Sequence, residues 1–494
     1  MQQYTPTEKF LRLLRRYNRY IKVTVIAIIA LVIAMLPTDC FGIAGLTPIQ
    51  QRVIAIFVWA ALMWIIEAVP AWTTSLLIIV IMLLTISDSG ISFLTSGYDK
   101  NELMTYKSIM STFANPTVML FMGGFILALV ASKSGIDVSM ARAMLKPFGS
   151  RPRIVLLGFI LVTAIFSMFV SNTATAAMML TFMAPVIRQL PATEKGTTAL
   201  ALAIPIGANI GGLATPIGTP PNGIALQYIN DADGLNLGVD FGEWVMVMAP
   251  LMLVILIISW VLLSFMFPFT TKKVNLQIIG GAKKGWRTYV IYATLAVTIL
   301  LWMFEKLTGI NSYVVALLPI GVFAITRIIK SSDLKDIDWA CLWMVAGGFA
   351  LGEGMSKTGL ASTLVDAIPF STWPALLVLL GGGFICWLLS QFISNSAATA
   401  LMIPIMVAVG SGMKDSLGNY GGVGTLLIGV AMAASFAMSL PISTPPNAIA
   451  YSTGLIKTKQ MFITGIIIGV ISLVIGYILI ITIGQTGYFG ETTL

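Results

Sequence analysis

The sequence predicts an all-α polytopic membrane protein built as two inverted repeats, with eleven transmembrane helices and two re-entrant hairpins. Three observations predict it: the composition, the pattern of apolar runs, and a set of polar, helix-breaking clusters that recur at one offset. Of 494 residues, 57% are hydrophobic and only 10% charged, with a mean hydropathy of +0.93. Soluble domains carry about 25% charged residues. Apolar stretches near the roughly 20 residues needed to cross a bilayer recur along the whole chain. The longest polar gaps, near 88–112 and 269–287, leave no room for a soluble domain.

Taken in order, spans are expected near 21–37, 53–69, 70–87, 116–134, 197–214, 243–268, 286–304, 312–329, 339–355, 423–441 and 461–486. Two further runs, 154–190 and 373–410, exceed one span and are broken midway by Ser171-Asn172-Thr173 and Ser394-Asn395-Ser396. Their halves are short for a crossing, which favours hairpins that enter and leave on one side over double crossings. The first run follows a basic stretch (Lys9, Arg12, Arg15, Arg16, Arg19, Lys22). That stretch is long and no A-x-A-like site follows Leu36, so an uncleaved first span is expected rather than a signal peptide.

Loop charge orients the chain. With a cytoplasmic N-terminus, Arg142, Lys146, Arg151 and Arg153 precede the first hairpin on the inside, and Arg188 and Lys195 follow it there. Asp231, Asp233, Asp240 and Glu243 fall outside. Lys272, Lys273, Lys283, Lys284 and Arg287, then Arg327 and Lys330, then Lys457 and Lys459, return inside. Every strongly charged loop obeys the positive-inside rule. Full double crossings would preserve this parity, so charge supports the orientation without deciding for the hairpins. The net charge of +9 is accounted for by these loops and does not point to nucleic acid.

Repetition organises the rest. Gly123-Gly124-Phe125, with Ser132-Lys133 downstream, returns as Gly347-Gly348-Phe349 with Ser356-Lys357, a shift of 224 residues. The Ser-Asn clusters shift by 223, from 171 to 394. Thr219-Pro220-Pro221-Asn222 returns as Thr444-Pro445-Pro446-Asn447 after 225. Five expected crossings separate the two Ser-Asn clusters, so the second repeat is inverted. The repeats are assigned to 52–270 and 271–494, after a leading segment 1–51. Inverted repeats with interrupted helices are the construction of secondary transporters, with the binding site where the halves meet.

Each cluster has a chemical reading. In hydrocarbon, backbone N–H and C=O groups must be satisfied, so non-helical backbone survives only when buried in protein or lining a wet cavity. Pro220-Pro221 and Pro445-Pro446 cannot continue a helix, so helices are expected to stop near Thr215 and Leu440 and restart near Asn222 and Asn447. Carbonyls before a break suit a bare cation; N–H donors and the positive dipole end after it suit an anion. Asn offers both an acceptor and a donor, and Ser and Thr hydroxyls can do either. Taken singly, a Ser-Asn pair is a helix–helix hydrogen bond and a Pro-Pro pair a kink; two paired copies at one offset read instead as a binding centre.

Other chemistries are poorly supplied. There is no histidine, which removes His-based acid–base catalysis, a Ser-His-Asp triad and His-ligated metals. Cys40, Cys341 and Cys386 are too scattered for a disulfide framework or metal site. Glu67 and Glu353 lie near span ends, where interfacial placement or structural pairing outweighs a proton or cation role. No acid pair and no Lys or Arg sits mid-span, which disfavours a proton antiporter built on buried carboxylates. Anion charge would be met by helix dipoles, amides and co-bound cations. A channel lined by Pro-broken helices is the alternative; an intramembrane enzyme lacks any nucleophile–base pair.

At these residues the chain resembles the divalent anion/sodium symporter (DASS) family of di- and tricarboxylate transporters, from about residue 50 to the C-terminus. The marks are Ser171-Asn172-Thr173-Ala174-Thr175, Ser394-Asn395-Ser396, Thr215-Pro216-Ile217-Gly218-Thr219-Pro220-Pro221-Asn222 and Ser443-Thr444-Pro445-Pro446-Asn447. The resemblance implies a homodimer with scaffold and transport domains working by an elevator motion. It implies substrate contacts from Asn172, Thr173, Thr219, Pro220, Asn395, Ser396, Thr444 and Pro445. One sodium site would draw on Ser167, Ser171, Asn172 and Gly218, and the other on Ser390, Ser394, Asn395 and Ser443. The expected cargo is a C4-dicarboxylate with co-transported Na+, and no organic cofactor. Ser396 departs from the threonine many relatives carry: it keeps the hydroxyl and loses a methyl. Some relatives are exchangers rather than symporters.

Overall fold

The computed structural model describes residues 6–98, 102–191, 193–231, 235–276, 280–282 and 285–489, with side chains from residue 17 onward. Asp233, Lys283 and Lys284, and the side chains of Lys9, Arg12, Arg15 and Arg16, lie outside the described residues. The protein is helical, without a β-strand among the described residues. Its principal helices are α1 (Pro6–Met35), α2 (Pro48–Ile66), α3 (Ala71–Thr85), α4 (Pro116–Ser134), α5 (Ile136–Leu145), α6 (Pro152–Ser167), α7 (Asn172–Ile187), α8 (Gly196–Gly212), α9 (Pro220–Asn230), α10 (Phe241–Met266), α11 (Trp286–Met303), α12 (Leu318–Ile325), α13 (Trp339–Lys357), α14 (Leu360–Ala367), α15 (Ala375–Ser390), α16 (Asn395–Ser411), α17 (Gly422–Ser435), α18 (Pro445–Ser452) and α19 (Thr458–Gly484).

Six described helices are long and apolar enough to cross a membrane: Tyr17–Met35, Pro48–Ile66, Tyr106–Ser134, Phe241–Met266, Trp286–Met303 and Thr458–Gly484. The arms of the two expected hairpins are shorter. α6 and α7 have 16 residues each, α15 has 16 and α16 has 17. At 1.5 Å per residue, 16 residues reach about 24 Å, short of a hydrocarbon core of about 30 Å. Each pair is joined by four residues, 168–171 and 391–394. Ser171 and Ser394 are the N-caps of α7 and α16, their hydroxyls accepting from the backbone N–H of Ala174 (3.3 Å) and Ala397 (3.2 Å). The polar clusters therefore start helices, as short side-chain oxygens at N-caps do.

Helix boundaries repeat at the offset of the motifs. α4 and α13 begin 223 residues apart and each has 19 residues. Both are followed by a left-handed glycine that caps the next helix, Gly135 (φ 71°) before α5 and Gly359 (φ 72°) before α14. α8 and α17 are buried almost all round, every residue of α17 included. A helix apolar on every side belongs in a core. α8 packs along α6, where Gly207 and Gly211 let the backbones meet. A Cβ on Gly211 would lie 2.4 Å from Ala164 Cα, and one on Gly207 would lie 2.7 Å from the Ile160 carbonyl oxygen. Small residues four apart at a close helix contact are the usual means of membrane helix packing.

By internal contacts the chain forms two compact units. One comprises Met1–Asn115 with Ala340–Thr372; the other comprises Pro116–Trp339 with Trp373–Leu494. Each unit draws on both sequence repeats. In the smaller unit Gln50 Nε2 donates to the Thr358 carbonyl (3.0 Å) and to Thr363 Oγ1 (3.0 Å), and Gly347 meets the backbone of Ser75. Glu353 accepts from Ser108 Oγ (3.2 Å), and Glu67 caps α2 in a left-handed conformation (φ 47°). The larger unit contains every cluster described next.

Candidate functional site

The helix breaks are longer than the Pro-Pro pairs predict. α8 ends at Gly212 rather than near Thr215, and α17 at Ser435 rather than near Leu440. A second pair of prolines, Pro216 and Pro441, also 225 residues apart, lies inside the breaks. A proline ring clashes with the carbonyl four residues upstream, and for Pro216 that residue is Gly212. The chain resumes helix at Pro220 and Pro445, each at the first helical position, with Thr219 and Thr444 as N-caps. Proline suits that position because its missing N–H would have had no helical partner.

Asn222 and Asn447 close the breaks, a role the sequence reading did not assign. Asn222 Nδ2 donates to the carbonyls of Gly212 (3.0 Å), Leu213 (3.1 Å) and Thr215 (2.8 Å). Asn447 Nδ2 donates to the carbonyls of Met438 (2.7 Å) and Leu440 (2.9 Å). The contacts to 213 and 215 and those to 438 and 440 are the same pair shifted by 225. Both asparagines are buried, at 0% and 1% exposure. The upstream carbonyls that sequence alone leaves bare are thus partly used: the Leu213 carbonyl also accepts from Trp244 Nε1 (3.0 Å). A carbonyl has two lone pairs, so the carbonyls of Gly212 and Met438, with one partner each, still accommodate a second, while those of Leu213, Thr215 and Leu440 are filled.

In the first half, Ser167, Asn172 and Gly218 come together. Ser167 Oγ lies 2.6 Å from Asn172 Oδ1 and 2.8 Å from the Ala208 carbonyl oxygen. A Cβ on Gly212 would lie 2.7 Å from Asn172 Oδ1 and 3.0 Å from the Gly218 carbonyl oxygen; only glycine leaves this oxygen-rich space open. Thr215 Oγ1 donates to the Met168 carbonyl, tying the break to the hairpin tip. Ser171 caps α7 from the other side of Asn172, and Thr173 is exposed. A cavity of about 200 Å³ reaches Ser171 and Thr175 and is also lined by Ser132, Asp137, Asp336 and Asp338.

The second half is built differently at the same place. Gln391 bridges hairpin and break: its Oε1 accepts from Ser439 N (3.0 Å), and its carbonyl accepts from Ser443 Oγ (3.0 Å). Ser443 Oγ also accepts from Leu440 N (3.0 Å). Ser390 Oγ and Asn395 Oδ1 are buried without a hydrogen-bond partner. Orphaned buried oxygens are rare in folded proteins and call for a reason; hydroxyl and amide oxygens are the donor set a hard cation takes. Ser396 is 7% exposed, and Thr444 Oγ1 accepts from Asn447 N (3.3 Å) while Pro445 is exposed beside it. Thr219 is buried but makes no cap bond, with Pro220 following it. The two halves are thus alike in backbone and unlike in side-chain bonding. Among the described residues no cluster of three or more His, Cys, Asp or Glu could hold a metal.

Helices broken by paired prolines and bridged by buried asparagines, in a protein with six described helices long and apolar enough to cross a membrane, are the construction of a multi-pass membrane transporter. Comparison with known proteins agrees. The family model for citrate transporters matches residues 61–420. The sodium-dependent dicarboxylate transporter SdcS of Staphylococcus aureus is 29% identical over 476 residues, covering 87% of this chain and 86% of its own. An uncharacterized transporter of Schizosaccharomyces pombe is 32% identical over 412 residues, covering 81% of this chain and 45% of that protein; the chain spans less than half of that relative's length. The solved YdaH transporter of Alcanivorax borkumensis shares the fold, with a TM-score of 0.51 at 14% identity over 88% of this chain and 99% of the other. The chain belongs to the citrate transporter family, and the comparisons also bear out the divalent anion/sodium symporter family that its motifs resemble. It is a transporter family, not a family of enzymes.

Proposed function

We propose that the protein carries C4-dicarboxylates such as succinate, malate or fumarate across the cell membrane, coupled to sodium symport. The observation that carries this reading is the juxtaposition within each half of a helix start and a cluster of oxygens. In the first half, Asn172 begins α7 while its Oδ1 lies 2.6 Å from Ser167 Oγ, and a Cβ on Gly212 would meet both that oxygen and the Gly218 carbonyl. In the second, Asn395 begins α16 while its Oδ1 and Ser390 Oγ are buried and unpaired. The helix starts meet carboxylates; the oxygens meet sodium, whose charge offsets the second negative charge of the cargo.

Ser167, Ser171, Asn172 and Gly218 are assigned to one sodium ion, and Ser390, Ser394, Asn395 and Ser443 to the other. Asn172, Thr173, Thr219, Pro220, Asn395, Ser396, Thr444 and Pro445 are assigned to the anion. The short arms of α6–α7 and α15–α16 support re-entrant hairpins flanked by eleven spans, with the N-terminus cytoplasmic. The family resemblance implies elevator movement of a transport part against a scaffold part, in a homodimer. Uptake of labelled succinate into proteoliposomes tests the function: a sodium gradient is expected to drive accumulation. Equal uptake without sodium, accelerated by internal dicarboxylate, would replace symport by exchange, and unitary currents would replace both by a channel.

A further inference from the structure

Asn209, on the last turn of α8, belongs to neither motif pair and is 2% exposed. Its Nδ2 donates to Thr444 Oγ1 (3.1 Å) and to Asn447 Oδ1 (3.2 Å), 235 and 238 residues away in the other repeat. The orientation of the amide is fixed by chemistry. Asn447 spends its Nδ2 on two carbonyls and so presents an acceptor, which only the donor end of Asn209 can meet. One residue earlier on the same helix, the Ala208 carbonyl accepts from Ser167 Oγ, which also contacts Asn172. Two consecutive residues of one rigid helix thus grip the first hairpin and the second break.

The link exists on one side only. The residue 225 positions after Asn209 is Ala434, fully buried and unable to donate. Accordingly Asn222 Oδ1, the counterpart of the oxygen that Asn209 meets on Asn447, is buried and has no partner. The second break is braced from the first repeat; the first break has no matching brace.

We propose that Asn209 is the positioning residue that couples the two halves of the site: it holds Thr444 and the start of α18 for the anion, in register with the Ser167–Asn172 pair where a cation is assigned. This rests on the transport reading above. Coupling of this kind is reciprocal: sodium raises anion affinity by the factor by which the anion raises sodium affinity, and losing the brace lowers both.

The test compares Asn209→Ala and the isosteric Asn209→Asp with the wild type, in two arms. In proteoliposomes, each variant is expected to raise the half-saturating succinate concentration by about tenfold, the scale of one lost buried hydrogen bond. The sodium dependence of that value is expected to flatten while the maximal rate is kept. A loss of maximal rate at unchanged half-saturation would show a merely structural role and overturn the proposal. The second arm is hydrogen exchange in ligand-free protein. Faster exchange is expected in 438–449 of both variants and unchanged exchange in 213–222. Equal protection in 438–449 overturns the proposal whatever the cargo is, whereas a wild type that takes up no dicarboxylate overturns only the functional reading.

Discussion

Asn222 and Asn447 each hold together a stretch of backbone that has no helix to satisfy it. Replacing either by Ala leaves one buried carbonyl without a donor, that of Gly212 or of Met438, at a cost of about 1–3 kcal/mol, while Leu213, Thr215 and Leu440 keep Trp244 Nε1, Gly218 N and Ser443 N. Both variants are expected to melt well below the wild type in detergent; a melting temperature within a degree of wild type would show that water or rearranged backbone substitutes. Gly212 gives a sharper residue-level test. A methyl there would stand 2.7 Å from Asn172 Oδ1, so Gly212→Ala is expected to shrink the stabilisation by sodium by at least half in a thermal-shift titration, at near-normal stability without sodium. An unchanged sodium shift would place the cation elsewhere. These residues differ in how legible they were. Asn172 and Asn395 stand out because two polar clusters interrupt apolar runs at one offset. Asn209 does not: it is a single amide in a glycine-rich stretch, its counterpart is Ala434, and its partners are more than 230 residues away. Gln391 was silent for the same reason, since only the fold brings it to Ser439 and Ser443.

At the scale of elements, apolar runs located the helices, but only six described helices are long and apolar enough to cross, and the run expected at 312–329 is two short helices, Ser312–Val315 and Leu318–Ile325. The arms of the expected hairpins match the broken runs within a few residues. The end of α8 lies upstream of the expected point because Pro216 acts through the carbonyl four residues back, that of Gly212; α17 stops at Ser435, two residues before the Ala437 carbonyl that Pro441 would meet. Helix contacts give a further expectation. Gly211→Val would drive a branched side chain into Ala164 Cα, so α6 and α8 would have to part; folded yield is expected to fall several-fold, while Gly149→Ala, where nothing lies within 4 Å, tests only the cost of a left-handed glycine (φ 64°). The connection from α7 to α8 carries a titratable clamp. Burial alone would raise the Glu194 carboxyl, but the hydroxyls and backbone N–H groups of Thr270 and Thr271 donate to it and bring it down to about 2 from an ordinary 4.5. A depressed carboxyl stabilises the folded protein above its unfolded value and loses that contribution as pH falls through its folded one. Glu194→Gln is therefore expected to be less stable than wild type at pH 7, the gap closing between about 4.5 and about 2. A gap independent of pH would mean that the carboxylate charge is not what the threonines hold.

For the whole molecule, the proposed site is shared by two pseudo-symmetric halves, neither sufficient alone. Each compact unit mixes both sequence repeats, and Asn209 bonds residues from the other repeat, so the repeat is a unit of sequence rather than of packing. That mixing cannot be read from the offset, which fixes only which residues correspond. The decisive measurement is equilibrium binding of labelled succinate to purified protein, with and without sodium, in wild type, Asn172→Ala and Asn395→Ala. Wild type is expected to bind only with sodium, and each variant to lose binding while keeping its sodium-free melting temperature. Wild-type binding by either variant would contradict a site that needs both halves.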